Sequence, residues 1–165
     1  MIIKSIELTT FRNIEGEKIE FSPTVNVIHG ANAQGKTNII EGIYLFARGK
    51  SFRAVKDKEL IKFDSEVAYA LMEYAREDET SKLGVKIAKN SAKSFYKDGN
   101  KVARTADVIG EFRAVLFCPS HLGIISDAPS VRRNFLDVAI SQLKPLYIKL
   151  LARYNNVISS RNAKM

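Results

Sequence analysis

Apolar and polar residues alternate near the start of the chain with the two-residue period of a β-strand. The alternation covers residues 6–9, stops at a turn over residues 13–16, and resumes over residues 18–21. Because this period places successive side chains on opposite faces of a sheet, the region predicts an antiparallel pair of strands. After Pro23, the mostly apolar run at residues 25–28 predicts a further short strand that leads into a glycine-containing loop.

Beyond the loop, the apolar period lengthens to that of a helix. The apolar positions with helical spacing are Ile39, Ile40, Ile43, Phe46 and Ala47. They predict an amphipathic helix that begins near Gly35 and ends near Gly49. Residues 50–63 are polar and basic and support no assignment.

The middle of the chain returns to the period of a strand. Alternating positions predict strands around residues 67–71 and 83–88, joined by a charged hairpin loop over residues 76–82. The turn-forming sequence at residues 98–100 predicts a second hairpin. Residues 114–117 are apolar on both faces, which is typical of a central, buried strand.

Two helices are predicted for the last 40 residues. The first has Ser126 or Asp127 as its candidate N-cap and Pro129 in its first turn. The second begins near Pro145 and carries an apolar stripe. The residues of this stripe are Tyr147, Leu150, Leu151, Tyr154, Val157 and Ile158. We expect the stripe to pack in a core or against a partner helix rather than to bind a ligand.

The loop between the predicted strand and helix has the spacing of a phosphate-binding P-loop. Its residues are Gly30-Ala31-Asn32-Ala33-Gln34-Gly35-Lys36-Thr37, which match G-x-x-x-x-G-K-[ST] in full. Glycines let the main chain wrap closely around an anion, and the helix start adds unpaired N–H groups and a positive dipole end. Lys36 is predicted to reach the β- and γ-phosphates, and the Thr37 hydroxyl to ligate Mg²⁺. Residues 30–38, with Asn38 as the last, thus predict a site for ATP and Mg²⁺.

Composition narrows the class of protein. The chain has 165 residues, of which 45% are hydrophobic, as expected for one globular domain. No apolar stretch approaches the roughly 20 residues that span a bilayer, and the N-terminus lacks a signal-peptide pattern. We therefore expect a cytoplasmic protein with no membrane partner. The single cysteine, Cys118, lies in an apolar run, which predicts a buried thiol rather than a catalytic nucleophile.

Most of the positive charge lies near the C-terminus. The net charge of the chain is +8, and residues 129–165 contain 7 Lys or Arg against 1 Asp or Glu. A local basic excess favours binding to polyanions such as nucleic acid, and a solvated helix face would have the same composition. Charge alone does not decide between these two interpretations.

A hydrolytic site would also need an acidic residue at the end of an apolar strand, to hold Mg²⁺ and orient water. Asp64 and Asp127 follow apolar runs that are interrupted by lysine and by serine, and Asp137 lies within a helical pattern. The sequence therefore predicts the nucleotide-binding half of a larger ATPase, without appreciable hydrolysis of its own.

Several stretches together resemble the RecF family of bacterial recombination mediators, which are DNA-repair ATPases with an SMC/ABC-type head. The matching stretches are residues 8–13, 30–44, 49–53, 129–137, 141–143 and 154–162. The block at residues 129–137, which contains Arg132 and Arg133, is the most family-specific of these, because a P-loop alone would fit any SMC-type head.

The resemblance implies a mixed α/β fold: the N-terminal half of a P-loop NTPase of the ABC/SMC-head type, with an antiparallel β subdomain and C-terminal helices. Residues 1–49 would form the P-loop subdomain, residues 64–117 a β-rich segment, and residues 126–165 the start of a helical subdomain. The family's Walker B strand and signature motif are absent from this chain, which implies an N-terminal fragment.

For the full-length protein, the resemblance implies a weak ATPase that forms a homodimer with ATP and binds double-stranded or gapped DNA. With RecO- and RecR-type mediators it would help load recombinase at gaps during recombinational repair, replication-fork maintenance and the SOS response, in association with the nucleoid. The resemblance also implies that Arg12 and Asn13 lie beside the nucleotide, and that Arg132 and Arg133 contact DNA or the partner head. A purely structural role is the alternative for both pairs.

Two positions depart from the family pattern. Ala33 replaces the usual glycine, and if this position requires a positive φ, alanine adds strain of about 1 kcal/mol and lowers nucleotide affinity. Ser120 and His121 replace two acidic residues that follow the proline in a stretch that the resemblance places near Mg²⁺ and the γ-phosphate.

Two other classes of protein compete with this interpretation. The first is a stand-alone P-loop small-molecule kinase or NTPase that uses Asp127 or Asp137 for Mg²⁺. The second is a nucleic-acid-binding module with a vestigial P-loop, whose function depends on the helices of residues 129–165.

Overall fold

A computed structural model describes residues 1–163. Six strands form one antiparallel sheet in the order β2-β1-β3-β4-β5-β6. The strands are β1 (Ile2–Phe11), β2 (Ile14–Glu20), β3 (Val67–Arg76), β4 (Glu79–Ala88), β5 (Ser91–Lys97) and β6 (Asn100–Lys101). The predicted N-terminal pair is confirmed, and the pairing of β1 with β3 joins it to the middle hairpins in a single sheet.

One face of the sheet packs against the helix that follows the loop, α1 (Lys36–Arg48). The buried sheet residues alternate along the strands, as the period predicts: Ile6, Leu8, Ala68, Ala70, Met72, Tyr74, Leu83, Val85, Ile87 and Phe95. From the helix, Leu45, Phe46 and Ala47 complete this core. Each large side chain buried here contributes roughly 1.5–3 kcal/mol to stability. A Cβ atom on Gly42 would lie 2.8 Å from the Leu8 side chain, so glycine lets α1 lie close to the sheet.

The bounds predicted for α1 are confirmed. The helix begins one residue after Gly35 and ends at Arg48. Gly49 adopts the left-handed conformation (φ 72°) and donates its N–H to the Leu45 carbonyl at 2.8 Å, which terminates the helix.

The two middle hairpins differ in how well their turns were predicted. The Asp98–Gly99 turn is confirmed between β5 and β6. The loop predicted for residues 76–82 is wrong in extent, because only Glu77 and Asp78 lie between β3 and β4. Residues 79–82 belong to the ladder, where Lys82 lies opposite Glu73 and forms a 3.4 Å ion pair with it. Opposite charges on neighbouring strands extend this hairpin beyond its apolar part.

Two predicted strands are wrong. Residues 25–28 and 114–117 belong to no strand among the described residues. Val27 is 79% exposed and Val115 is 96% exposed. An apolar run becomes a strand only when it shares hydrogen bonds with a neighbouring strand, and no described strand forms a ladder with either segment. Cys118, which was predicted to be buried, is only half-buried at the end of the second segment.

The C-terminal region contains α2 (Gly123–Ser126), α3 (Pro129–Leu143) and α4 (Pro145–Asn162). Pro129 is confirmed in the first turn of α3, but the N-cap position is Ala128 rather than Ser126 or Asp127. The reason is that Ser126 ends α2 and Asp127 is its C-cap.

The predicted stripe of α4 is only partly covered. Its residues Tyr147, Leu151 and Ile158 are half-buried, whereas Leu150 and Tyr154 are more than half exposed. No helix among residues 1–163 has the length and apolar composition required to cross a membrane.

Candidate nucleotide-binding site

The predicted P-loop is an open curve of main chain that ends at the start of α1. Three of its residues have a positive φ: Gly30 (145°), Ala33 (65°) and Gly35 (96°). These values turn the chain sharply at each end and in the middle of the loop. Residue 33 therefore has the positive φ that the sequence analysis considered, and the left-handed conformation costs an alanine about 1–2 kcal/mol.

Lys36 folds back over the loop. Its Nζ donates hydrogen bonds to the carbonyl oxygens of Gly30, at 2.8 Å, and of Ala31, at 2.6 Å. Within α1, the first intrahelical hydrogen bond runs from Asn38 N–H to the Gly35 carbonyl. The N–H groups of Lys36 and Thr37 precede this bond, at the end of the helix where the dipole is positive. The loop thus places an ammonium group and helix N–H donors where an anion would lie.

Two asparagine side chains connect the loop to the β1–β2 turn. Asn13 Nδ2 donates to the Ala33 carbonyl at 2.8 Å, and Asn38 Nδ2 donates to Asn13 Oδ1 at 2.7 Å. A Cβ atom on Gly35 would lie only 3.0 Å from Asn13 Oδ1. Asn13 therefore lies beside the loop, and its predicted place beside the nucleotide stays a prediction.

Arg12 precedes Asn13 and contacts residues outside the loop. Its guanidinium forms two hydrogen bonds with the Glu41 carboxylate, from Nε at 3.0 Å and from Nη2 at 2.8 Å. Nη1 donates to the Glu59 carbonyl at 2.8 Å. Arg12 therefore joins the sheet to α1 and to the segment after it. A place for Arg12 beside the nucleotide stays a prediction.

Glu41 is the polar residue that sequence reasoning missed. It lies on α1, one helical turn after Thr37, and is fully buried. Besides Arg12, it accepts a short hydrogen bond from the Ser51 hydroxyl and lies 3.9 Å from Arg53 Nη1. A buried carboxylate requires such partners. Its only sequence signal is a glutamate among the apolar residues of an amphipathic helix.

The two arginines of α3 have different surroundings. Arg132 donates from Nη1 to the carbonyls of Ile124, at 3.2 Å, and of Asp127, at 3.0 Å, and so fastens α2 to the start of α3. Arg133 is exposed on the same helix. Neither arginine is among the described residues that form hydrogen bonds with the P-loop. The contact with DNA or with the partner head that the sequence predicts for them would therefore be made by a different surface.

Asp137 and His121, two of the groups considered near Mg²⁺, contact neighbouring side chains outside the loop. Asp137 accepts a 2.5 Å hydrogen bond from Tyr147 between α3 and α4, and this bond raises the pKa of the tyrosine. His121 packs edge-on against Phe117, with ring centres 6.5 Å apart. The side chain of Ser120 lies outside the described part of the chain. Residues 1–163 contain no group of three or more His, Cys, Asp or Glu side chains arranged to hold a metal ion.

Comparison with known proteins places this geometry in a family. The family described as the RecF/RecN/SMC N terminal domain matches residues 2–123. The DNA replication and repair protein RecF of Lachnoclostridium phytofermentans is 43% identical over 162 residues, and that of Clostridium novyi is also 43% identical over 162 residues. These alignments cover 98% of the chain but 45% of each relative, so the chain spans about half the length of the curated proteins that it matches.

Solved structures agree with the sequence comparison. The recombination mediator protein RecF of the RecFOR pathway, solved with ATPrS, superimposes with a TM-score of 0.92 at 38% identity, over 98% of this chain and 44% of that one. The RecF–ATP structure gives a TM-score of 0.89 at 38% identity, over 98% of this chain and 45% of that one. The SMC head domain from Thermotoga maritima shares the fold alone, with a TM-score of 0.57 at 24% identity, over 68% of this chain and 42% of that one. The chain therefore belongs to the RecF/RecN/SMC N-terminal domain family, with the P-loop fold of an SMC/ABC-type head, and its resemblance within that family is to RecF.

Proposed function

We propose that this chain is the ATP-binding part of a RecF-like DNA-repair protein. The observation that carries the proposal is the curved loop of residues 30–37 at the start of α1, with the Lys36 ammonium held over it. Two further findings support it: similarity to RecF along 98% of the chain, and a close superposition on RecF solved with ATP. The alternative of a stand-alone kinase has no comparable support.

The loop would bind the triphosphate mainly with its main chain. The first N–H groups of α1 would donate to the phosphates, and the helix dipole favours negative charge at this end. Lys36 would exchange its two carbonyl partners for phosphate oxygens, which form stronger, charge-assisted hydrogen bonds. Gly30 and Gly35 let the main chain approach the phosphates without a steric clash from a Cβ atom.

Thr37 and Asn38 would complete the site at the first turn of α1. The exposed Thr37 hydroxyl has the chemistry of a Mg²⁺ ligand, and its place directly after Lys36 fits the usual order of a P-loop. When bound, the metal ion supplies positive charge that neutralises the phosphates. Asn38 holds Asn13 by its side-chain amide, so we assign it a supporting role in the same site.

In the full-length protein, we assign residues 1–49 to the P-loop subdomain, 64–117 to a β-rich segment, and 126–165 to the start of a helical subdomain. The acidic Walker B strand and the signature motif belong to the part of the relatives that this chain does not span. We further propose that the whole protein dimerises with ATP, engages double-stranded or gapped DNA, and acts with RecO- and RecR-type partners on the DNA of the bacterial nucleoid.

Nucleotide binding by the purified chain and by Lys36→Ala tests the proposal. Charge-assisted hydrogen bonds contribute about 1.5–3 kcal/mol each, so we expect the substitution to raise the Kd for Mg-ATP at least about tenfold. The measurement is calorimetric or fluorescent titration with Mg-ATP and with ADP. Lys50→Ala is the matched control, because it removes the same charge just beyond the opposite end of α1. If Lys36→Ala binds as tightly as the unsubstituted chain, the proposed site is wrong.

Turnover separates this proposal from the kinase alternative. We expect the 165-residue chain to release phosphate from ATP no faster than Lys36→Ala, because its sequence has no aspartate directly after an uninterrupted apolar strand, where a hydrolytic site needs an acidic residue. Rapid phosphate release that depends on Lys36 would favour a stand-alone NTPase.

A further inference from the structure

A second polar cluster lies beneath the phosphate loop, where β1, α1 and the segment after α1 meet. We call it the Glu41 cluster, and its members are Arg12, Glu41, Ser51 and Arg53. Its centre is the fully buried Glu41 carboxylate. This carboxylate contacts both guanidinium groups and the Ser51 hydroxyl. The hydroxyl oxygen in turn accepts the N–H groups of Arg53, at 2.9 Å, and Ala54, at 2.8 Å.

The cluster carries two positive charges around one negative charge. The Arg12 side chain is 19% exposed and forms a bidentate pair with Glu41, a rigid arrangement that lysine could not reproduce. The Arg53 side chain is 43% exposed, and its Nη1 lies 3.9 Å from Glu41 Oε2, the oxygen that also accepts from Arg12 Nε. No buried side-chain N or O atom among the described residues lacks a hydrogen-bond partner, so the buried carboxylate at the centre of the cluster is fully paired.

A continuous path of hydrogen bonds leads from this cluster to the loop. Arg53 Nη1 donates to Asn38 Oδ1 at 3.2 Å, and Asn38 Nδ2 donates to Asn13 Oδ1 at 2.7 Å. Asn13 Nδ2 donates to the Ala33 carbonyl at 2.8 Å. A second route is covalent, because Arg12 is bonded to Asn13 in the main chain. Both routes end at Ala33.

Ala33 is the strained residue of the loop, with a φ of 65°. A non-glycine residue keeps such a conformation only when its surroundings hold it there. The Asn13 hydrogen bond to the Ala33 carbonyl is the contact that restrains this peptide. The hydrogen bonds through Asn38 and Asn13 therefore connect the buried Glu41 cluster to the residue of the loop that needs restraint.

We propose that the Glu41 cluster positions the phosphate loop, by holding Ala33 in its left-handed conformation through Asn13 and Asn38. Glu41 is in this sense a positioning residue, which need not touch the nucleotide. The inference rests on the proposed nucleotide binding. Without the cluster, the alanine relaxes and the loop must be restrained again whenever a nucleotide binds.

The test compares nucleotide affinity in two backgrounds, one with alanine and one with glycine at position 33. We expect Glu41→Gln to raise the Kd for Mg-ATP about fivefold to thirtyfold in the alanine background, which corresponds to the steric cost of a left-handed alanine. In the Ala33→Gly background the same substitution should change the Kd less than about twofold, because glycine adopts this conformation without strain. Glu66→Gln is the matched control, since it makes the same chemical change in an exposed pair with Lys89 and should alter neither background.

Folding is checked on every variant by thermal melting. Because Glu41→Gln leaves Arg12 without its buried partner, it can unfold the chain. Asn13→Ala and Arg53→Gln then carry the same comparison, as both alter side chains that are exposed to solvent. Their losses of affinity should likewise disappear in the Ala33→Gly background.

The possible results separate this inference from the proposed function. If the unsubstituted chain and Lys36→Ala bind Mg-ATP equally, the proposed function fails. If they differ as expected but a folded cluster variant binds as tightly as the unsubstituted chain, the inference alone is wrong. A loss that stays the same size with glycine at position 33 also overturns it, because a direct contact with the nucleotide would not be rescued by glycine.

Discussion

At the scale of single residues, Ala33 is where the P-loop carries backbone strain. Its φ of 65° lies in the left-handed region, which costs an alanine about 1–2 kcal/mol. Such strain persists only where neighbouring contacts hold the residue in place, and here the Asn13 side chain donates a hydrogen bond to the Ala33 carbonyl.

We expect Ala33→Gly to raise the free energy of unfolding by up to about 1.5 kcal/mol. Relief of the left-handed alanine contributes about 1–2 kcal/mol, and the greater freedom of glycine in the unfolded chain offsets about 0.4–1 kcal/mol of this gain. Affinity for Mg-ATP should stay within about twofold of the original value. Chemical denaturation measures the first quantity and titration the second.

Ala31→Gly is the control for this prediction, since Ala31 lies in the same loop but is not among the residues with positive φ. It should lower the free energy of unfolding, because glycine there adds only freedom to the unfolded chain. Equal effects of the two substitutions would show that the conformation of Ala33 does not store strain.

Sequence spacing located the P-loop residues but could not locate Glu41. The loop motif is local, since its eight residues are consecutive and their order follows from the contacts that a phosphate needs. The burial of Glu41 depends instead on Arg12, which is 29 positions away, and on Ser51. A helical period marks a glutamate as a polar position, and only the tertiary structure reveals that a guanidinium meets it inside the core.

At the scale of elements, local hairpins were predicted well and isolated strands were not. The turn at Asp98–Gly99 could be recognised because a two-residue turn of type I′ needs positive φ at both central positions, which Asp and Gly tolerate. The runs at residues 25–28 and 114–117 have equally clear apolar patterns, yet they form no ladder within residues 1–163. Strand formation depends on a neighbour, and the pattern of a segment does not say whether that neighbour is present.

The hairpin turn gives a prediction at this scale. Gly99 has a φ of 82° and open space around it, so Gly99→Ala creates backbone strain without a steric clash. We expect the free energy of unfolding to fall by about 0.5–1 kcal/mol, which lowers Tm by about 1–4 °C in a domain of this size. Thermal melting measures the shift.

Gly16→Ala separates strain from the simple addition of a methyl group. Gly16 lies in β2, also has open space around it, and is not among the glycines with positive φ. Its replacement should leave Tm unchanged or raise it slightly, because alanine restricts the unfolded chain. A fall in Tm as large as that of Gly99→Ala would contradict the explanation from backbone conformation.

At the scale of the whole molecule, charge and apolar surface are distributed unevenly. The apolar core lies between the sheet and α1, whereas α4 leaves Leu150, Tyr154 and Val157 more than half exposed. Exposed apolar residues grouped in this way are typical of protein–protein interfaces. The same region, residues 129–165, carries most of the excess positive charge. The helices therefore combine the properties of a contact surface with those of a surface that attracts polyanions.

This distribution predicts how the chain should bind DNA. If phosphate groups are neutralised by basic side chains of α3 and α4, the logarithm of the association constant falls linearly with the logarithm of salt concentration, with a slope of about −0.9 for each phosphate contacted. Arg133 is exposed on α3 and is the arginine that we assign to such a contact. We expect Arg133→Ala to weaken binding to duplexes of unrelated sequence equally, and to make the salt slope shallower by about 1.

Arg132 provides the contrast within the same helix, because it already donates to the carbonyls of Ile124 and Asp127. Arg132→Ala should lower Tm through the loss of these hydrogen bonds and leave the salt slope unchanged. Arg133→Ala should leave Tm unchanged and make the salt slope shallower. Fluorescence anisotropy of labelled duplexes at several salt concentrations, together with thermal melting, distinguishes the two outcomes. If DNA binding does not depend on salt concentration, or if Arg132→Ala rather than Arg133→Ala makes the salt slope shallower, the assignment of a phosphate contact to Arg133 is wrong. In the second case Arg132 would contact DNA in spite of its hydrogen bonds within the protein, and exposure on α3 would not be enough to identify the arginine that binds phosphate.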